Sequence, residues 1–288
     1  MYGIVQQRGK VNNWGDVING YLFCKLSNTL ARDIQLHPIP PKDWNYLMCG
    51  SILRLANNFS IVWGTGFICH DDVILSRWEP PRGKKNIYTP KLICSVRGPK
   101  TRGRLQELGI ACPAIYGDPA LIMPYLYTPP ASDILYDYGI IPHYADRAKI
   151  DAINKGDNVN IIDIEVYNNN IFKIIDEISK CRVIFSSTLH GLILGQLYSH
   201  DHLSYHLRIS NKLDGDTFKF QDYFMSINRQ YKNVTLDEVV HSINNTFSPE
   251  PYELNFNYNS FIDSCPFVDK NVREEMRNFF DKYDYRYK

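Results

Sequence analysis

The chain has 288 residues, 44% of them hydrophobic, and a formal net charge of +1 at neutral pH. This length suits two ordinary domains, and the apolar content excludes a chain that is disordered throughout. The near-zero charge identifies no partner, and we expect no nucleic acid among the partners. No apolar run approaches the ~20 residues that a spanning helix needs. The first ten residues carry no apolar signal-peptide core. We therefore expect a cytoplasmic protein, with a peripheral contact to the inner face of the plasma membrane left open.

The seven cysteines do not form a recognisable pairing pattern. Their number is odd, no two are separated by only two residues, and most stand in apolar runs. We therefore predict buried free thiols in a reducing compartment, not a disulfide framework or a zinc site.

Short apolar runs in the first half of the chain alternate with segments of helical length. They predict strands at residues 4–6, 46–49, 60–63, 92–96 and 114–116, and helices at 16–31 and 101–109. Such alternation is typical of a parallel sheet covered by helices. A proline-rich stretch at residues 124–130 follows and is the best candidate for a linker.

The same pattern resumes after the prolines. It predicts strands at 134–141, 159–164 and 182–185, and helices at 171–180, 192–198 and 271–288. We predict an α/β protein with one domain over residues 1–127 and another over 128–288, the last helix of which could pack back on the first. Two such domains would enclose a cleft, and open parallel sheets bind ligands outside the carboxyl ends of their strands.

The segment Ser186–Gly191 follows a buried predicted strand and precedes a helix. Backbone N–H groups at a helix start favour an anion. A histidine there, His190, can act as a general acid or base near neutral pH. A histidine that caps the helix or is satisfied in the core explains the pattern equally well.

Three further side chains stand at predicted strand ends or in the loops that follow. The Arg97 guanidinium suits a carboxylate or phosphate, although taken alone a surface ion pair is favoured. His143 and Asp16 would both face the cleft. Asp16 alternatively caps the helix that follows it.

Other patterns are weaker. His200, His202 and His206 do not share a helical face, so we give little weight to a metal there, and no metal site is predicted elsewhere. The sequence has no Walker loop, no GxGxxG after a strand and no GxSxG elbow. A stretch of basic residues without an intervening acid predicts a solvated face, an anion site or a face that rests on acidic lipid. It comprises Arg82, Lys84, Lys85, Lys91, Arg97, Lys100, Arg102 and Arg104.

Seven segments in order resemble the polysaccharide pyruvyl transferase family, from about Gly3 to about Ser226. They are Asn13-Trp14-Gly15-Asp16, Trp63-Gly64-Thr65-Gly66-Phe67-Ile68, Ser95-Val96-Arg97-Gly98-Pro99, Gly117-Asp118-Pro119-Ala120, Ile141-Pro142-His143-Tyr144, Ser186-Ser187-Thr188-Leu189-His190-Gly191 and Phe218-Lys219-Phe220-Gln221-Asp222-Tyr223.

The resemblance implies two Rossmann-like domains that face a cleft, as in the glycosyltransferase B fold, with the acceptor on the first domain and the donor on the second. It implies phosphoenolpyruvate as donor and no other cofactor. The implied acceptor is a hydroxyl pair on a sugar of a bacterial capsule or exopolysaccharide, or of its polyprenyl-linked precursor. Two rival interpretations are a nucleotide-sugar glycosyltransferase of the same architecture and a non-catalytic carbohydrate-binding protein.

The resemblance also implies roles for single residues. The catalytic candidates are His190, Asp16 and His143. The donor-binding candidates are Arg97, Leu189, Thr188, Lys219 and Lys212. The acceptor-binding candidates are Asn13, Gly15, Gly64 and Thr65. Many relatives carry arginine two residues before the histidine, where this chain has Thr188. Lys212, Lys219 or Arg208 could replace that arginine, with Lys219 preferred because it lies in a matching segment.

Overall fold

A computed structural model describes residues 2–5, 12–34, 44–74, 88–153, 156–209, 217–245 and 252–283. Over these ranges the chain forms two parallel sheets with helices, which confirms the expected α/β class. The chain divides into two compact units. Unit 1 consists of Met1–Pro119, Asp214–Gln230 and Asn255–Lys282, and unit 2 of Ala120–Leu213, Tyr231–Leu254 and Tyr283–Lys288. The likeness to the glycosyltransferase B fold stays a prediction.

The boundaries of the two units differ from those of the predicted domains 1–127 and 128–288. The first boundary falls at Pro119, ahead of the proline-rich stretch, and two later segments return to unit 1. The return has a packing reason, because aromatic and charged side chains of these segments are buried in unit 1. The ring of Phe261, for example, stacks on that of Trp63 with centroids 4.6 Å apart. The last helix belongs to unit 1 as well.

The strands, in chain order, are β1 (Tyr2–Val5), β2 (Ala31–Ile34), β3 (Asn45–Leu47), β4 (Ser60–Trp63), β5 (Leu92–Ser95), β6 (Tyr136–Ile141), β7 (Val159–Ile161), β8 (Cys181–Ser186), β9 (Leu203–Arg208) and β10 (Asn233–Thr235). The helices are α1 (Trp14–Ser27), α2 (Pro99–Glu107), α3 (Met123–Leu126), α4 (Arg147–Asp151), α5 (Lys173–Ile178), α6 (Leu189–Tyr198), α7 (Phe218–Ser226), α8 (Leu236–Asn245), α9 (Tyr258–Asp263) and α10 (Lys270–Lys282). No helix within the described ranges is both long enough and apolar enough to span a bilayer.

Both units have the same strand order. The sheet of unit 1 runs β2-β1-β3-β4-β5, and that of unit 2, read from one edge, runs β7-β6-β8-β9-β10. Counted from each unit's first strand, both are 2-1-3-4-5. In this order the second strand is added on one side of the first strand and the third strand on the other side. The gap between the first and third strands is the switch point of the sheet, where ligands bind. The switch points lie between β1 and β3 in unit 1 and between β6 and β8 in unit 2.

Amphipathic spacing explains how the helices attach to the sheets. The first helix, α1, buries Trp14, Ile18, Leu22 and Leu26, four residues apart and therefore on one face. It ends earlier than predicted, at Ser27, because Asn28 adopts a left-handed conformation and the chain then enters β2.

The predicted strand at 114–116 is wrong. Only Tyr116 pairs there, through a single bridge to Val96. The segment is too irregular to join the sheet, and Gly117 follows it with φ +152°.

Candidate functional site

The turn after β8 places His190 in the first turn of α6. The Thr188 hydroxyl accepts the Gly191 N–H at 3.1 Å, so Thr188 is the N-cap and His190 is not. The Ser186 hydroxyl accepts the Thr188 N–H at 3.0 Å and fixes the turn. His190 is 8% exposed. Two hydroxyls therefore form the turn, and the histidine is not needed as its cap.

Gly191 brings the start of α6 directly onto the strand ends. A Cβ at this position would lie 2.4 Å from the Ser186 Oγ and 2.8 Å from the Ile141 Cγ2, closer than real contacts allow. The first turn of α6 is therefore seated against β6 and β8, and the backbone at His190 has little freedom to shift.

His143 lies beside this turn in the same unit. It follows β6, the neighbour of β8, and its N–H donates to the Ser187 Oγ at 2.7 Å. Its Nδ1 accepts the Ala145 N–H at 3.3 Å, and its half-buried ring lies 4.3 Å from that of Tyr144. His143 and His190 thus flank the switch point of unit 2, one on each side.

The switch point of unit 1 carries Asp16. The start of α1 is capped by Asn13, whose Oδ1 accepts the Gly15 N–H at 3.1 Å. The alternative that Asp16 caps this helix is therefore wrong. Asp16 is half-buried, and a Cβ on Gly50, which follows β3, would lie 3.6 Å from its Oδ1. The carboxylate therefore lies beside the turn that ends β3.

The predicted acceptor residues Gly64 and Thr65 have structural roles. The Thr65 hydroxyl is fully buried and donates to the Gly50 carbonyl at 2.6 Å. Gly64 has φ +88°, and a Cβ there would lie 2.4 Å from Pro119. Both positions brace the turns after β3 and β4, so direct contact with an acceptor is not supported for either. Asn13 and Gly15 are likewise engaged in the start of α1.

Arg97 does not present a free fork to a ligand, contrary to the role expected for it. The side chain is 0% exposed. Its Nε donates to the Asp222 Oδ2 at 3.0 Å, its Nη1 to the Ser51 Oγ at 2.7 Å, and its Nη2 to the Phe67 carbonyl. All three nitrogens are thus bound by unit 1 itself. We correct the donor-binding assignment: Arg97 forms a buried ion pair that joins the end of β5 to α7.

The partner of Arg97, Asp222, was not among the residues that the sequence predicted for the site. It accepts the Thr101 N–H at 2.9 Å and the Thr101 hydroxyl at 2.6 Å, in addition to Arg97. It stands in the segment 218–223, in which only Lys219 drew attention. An acid between aromatic residues was the available signal, since a buried carboxylate requires a cationic partner.

The other donor candidates also differ from expectation. Lys219 lies on α7 and therefore in unit 1, with its Nζ 5.3 Å from the centroid of the Phe220 ring. Lys212 lies outside the described residues. Leu189 is the first residue of α6 and is buried. Of these three, only Leu189 is described in the same unit as His190.

The remaining patterns separate in space. His200 lies 2.7 Å from Asp201, His202 contacts the Gln196 carbonyl, and the His206 Nδ1 lies 2.7 Å from the Tyr231 hydroxyl, so the three histidines have different partners. The described basic residues of the 82–104 stretch likewise contact separate groups, as Arg102 does with the Cys112 carbonyl and Arg104 with Glu107. They do not form one anion site.

All seven cysteines are free thiols. Burial raises the pKa of Cys94 to about 11 and that of Cys112 and Cys181 to about 12. These three thiols are therefore protonated at neutral pH and are poor nucleophiles.

Comparison with known proteins identifies the family of this chain. The family described as polysaccharide pyruvyl transferase matches residues 32–198, which is more than half of the chain and includes both His143 and His190. An uncharacterised protein of Acanthamoeba polyphaga mimivirus is 26% identical over 214 residues, which cover 73% of this chain and 69% of that protein. The family match confirms the resemblance, with five of the seven segments inside the matched residues, and the chain belongs to the polysaccharide pyruvyl transferase family.

Proposed function

We propose that this protein transfers a pyruvyl group from phosphoenolpyruvate to two hydroxyls of one sugar in a bacterial surface polysaccharide, or in its polyprenyl-linked precursor. Family membership supports transferase activity. The observation that carries the assignment of the site is the pair of histidines, His143 and His190, on either side of the switch point of unit 2.

The proposed reaction forms a cyclic ketal and releases phosphate. The methylene carbon of the donor gains a proton, and the central carbon becomes electrophilic. One sugar hydroxyl attacks that carbon, the bond to the phosphate oxygen breaks, and the second hydroxyl closes the ring. Of the two hydroxyl protons, one ends on the new methyl group and the other on phosphate. The steps balance without a redox cofactor, so we propose phosphoenolpyruvate as the only co-substrate.

His190 is our candidate for the proton transfers. An imidazole can both deliver and accept a proton in one cycle. Its place in the first turn of α6 supports this role, because the backbone N–H groups of such a turn stabilise negative charge on a bound donor. His143 is half-buried at the neighbouring strand end and is our second candidate.

Asp16 remains the candidate for orienting an acceptor hydroxyl. Support comes from its place at the switch point of unit 1, and from the fact that Asn13 and not Asp16 caps the helix. We further propose that the enzyme works in the cytoplasm, at the inner face of the plasma membrane. The free thiols suit a reducing compartment.

A substrate panel tests this function. The protein is incubated with phosphoenolpyruvate and a series of synthetic or lipid-linked glycosides, and phosphate release and the pyruvyl adduct are followed by colorimetry and mass spectrometry. In parallel, phosphoenolpyruvate is compared with UDP-, GDP- and CMP-sugars for the ability to raise the melting temperature. Stabilisation by a nucleotide sugar and not by phosphoenolpyruvate would overturn the proposal in favour of a glycosyltransferase. Glycan binding without phosphate release in any mixture would favour a binding protein.

A further inference from the structure

We propose that Arg208 binds an anionic group of the donor beside His190. This inference rests on the proposed function, since it takes phosphoenolpyruvate as the donor. This donor carries both a carboxylate and a phosphate, so its site needs a cationic side chain. Three cations were expected to bind the donor, and of these Lys212 lies outside the described residues. The other two do not belong to the sheet that carries His190. Arg97 is buried in an ion pair of unit 1, and Lys219 belongs to α7 of unit 1.

The cations described in unit 2 differ in where they stand on its sheet. Arg182 and Lys180 lie at the amino end of β8, away from His190. Arg147 begins α4, which follows β6 and not the pair β8–β9. Arg208 ends β9, and β9 pairs directly with β8, the strand that leads to His190. Among the described residues of unit 2, Arg208 is therefore the arginine at the carboxyl end of the strand that pairs with β8 on the side away from β6.

Strand register places the carboxyl ends of β8 and β9 at the same edge of the sheet. In the parallel pair β8–β9, Ser186 lies opposite His206. Arg208 lies two residues beyond His206 and ends β9, while Thr188, two residues beyond Ser186, has already left β8 and is the N-cap of α6. His190 follows Thr188 by two residues, in the first turn of the helix.

The faces of β9 show which way Arg208 projects. Side chains alternate along a strand. Leu203 and Leu207 enter a hydrophobic core with Val239. Ser204 faces α6 instead, because a Cβ on Gly195 of that helix would lie 2.6 Å from the Ser204 Oγ.

Arg208 therefore shares the α6 face with Ser204 and His206. Because α6 starts at the carboxyl edge and runs back over the sheet, the end of β9 on this face lies beside the first turn of the helix. The arginine and the start of α6 thus lie on the same face of the sheet and at its carboxyl edge.

The surroundings of Arg208 suit a binding residue. It is half-buried, so it is accessible to a ligand and yet partly shielded from water, where an ionic hydrogen bond is worth more than at a fully exposed site. Two residues earlier, His206 is 3% exposed and its Nδ1 lies 2.7 Å from the Tyr231 hydroxyl. This contact anchors the strand just ahead of the arginine. A guanidinium on a fixed strand end can grip a carboxylate or a phosphate with two hydrogen bonds.

The experiment compares three variants of the full-length chain. Arg208→Gln removes the charge, Arg208→Lys keeps the charge without the fork, and Arg182→Gln is the matched control, since Arg182 belongs to an exposed ion pair at the opposite edge of the same sheet. The Michaelis constant and turnover number are measured with phosphoenolpyruvate, and direct binding of phosphoenolpyruvate, inorganic phosphate and pyruvate is measured by calorimetry. Melting temperatures verify folding.

We expect Arg208→Gln to weaken phosphoenolpyruvate binding about 10- to 100-fold, the effect of losing one or two charge-assisted hydrogen bonds. Arg208→Lys should fall between this variant and wild type, and Arg182→Gln should match wild type. If Arg208→Gln weakens the binding of phosphate but not of pyruvate, the arginine binds the phosphate group of the donor. If it weakens the binding of pyruvate but not of phosphate, the arginine binds the carboxylate. Wild-type binding of all three probes by a folded Arg208→Gln protein would overturn the inference and leave the proposed function intact. A wild-type protein that binds neither phosphoenolpyruvate nor phosphate would overturn both.

Discussion

At the scale of single residues, the structure separates side chains that hold the fold from side chains that can serve chemistry. Thr188, Asn13 and Thr65 are bound to backbone groups and brace turns. Arg97 is bound on every nitrogen. His190 stands in a turn whose cap is already provided. A role in proton transfer therefore does not compete with a structural duty as helix cap.

The first prediction concerns His190. His190→Ala should lower turnover by roughly 10²–10⁴-fold, the usual contribution of a general acid or base. The matched control is His241→Ala on the exposed side of α8, which should leave turnover unchanged. Phosphate release is the measurement, with circular dichroism to verify folding. Near-normal turnover by a folded His190→Ala protein would end the catalytic assignment.

The second prediction concerns the Arg97–Asp222 pair. Asp222→Ala should lower the free energy of unfolding by about 3–5 kcal/mol, because it leaves a buried guanidinium without its counter-charge. Arg182→Gln removes one member of an exposed ion pair and should cost less than about 1 kcal/mol. Urea unfolding of both variants measures the difference. Equal losses would show that burial does not strengthen the pair.

At the scale of elements, close approaches of backbone decide the packing of helices in unit 1. The N-terminus of α2 meets α7 at Gly98, where a Cβ would lie 2.0 Å from the Asp222 carbonyl oxygen. Since Gly98 has φ −166°, its backbone is extended and open to any residue. The need for glycine at this position is therefore steric and not conformational.

The third prediction compares two glycines only five residues apart. Gly98→Ala should destabilise the protein by about 1–3 kcal/mol or more, because the contact between α2 and α7 has to open. Gly103 lies inside α2, and a Cβ there would meet nothing within 4 Å apart from its own helix backbone, so Gly103→Ala should stabilise the protein by up to about 1 kcal/mol through helix propensity. Thermal unfolding of both variants checks the opposite signs. Two shifts of the same sign would contradict the steric argument.

At the scale of the whole molecule, the chain builds unit 1 from three separate stretches. Segments 214–230 and 255–282 contribute Asp222 and Phe261 to it, and both side chains are fully buried. The Trp63 indole N–H, for example, lies 3.1 Å from the Ser264 hydroxyl of the last stretch. Unit 1 therefore depends on residues that are synthesised after most of unit 2.

The fourth prediction follows from this course of the chain. A protein that ends at residue 213 should fail to form a stable unit 1, because Arg97 loses Asp222 and Trp63 loses its stacked partner Phe261. A protein that ends at residue 283 keeps every described residue and serves as the control. Circular dichroism and cooperative thermal unfolding distinguish the two. A cooperative transition of unit 1 in the shorter protein would refute the dependence.

The sequence by itself determined the class of fold, most of the strands of unit 1 and the strands β6 to β8. Runs of apolar residues between turn-forming residues are a local pattern, so they can be recognised without knowledge of the tertiary structure. It also pointed to His143 and His190 at strand ends, because a polar turn after an apolar run marks the carboxyl edge of a sheet.

Only the tertiary structure decided which groups the charged side chains contact. Arg97 and Asp222 are 125 residues apart in sequence, and only the return of α7 to unit 1 brings their charges together. The same return made Lys219 part of unit 1, while the pairing of β9 with β8 placed Arg208 at the carboxyl edge of the sheet in unit 2. Which cation can meet a ligand depends on these long-range contacts. A guanidinium and a carboxylate that meet in the interior satisfy each other, and the local sequence around each does not identify which partner it meets.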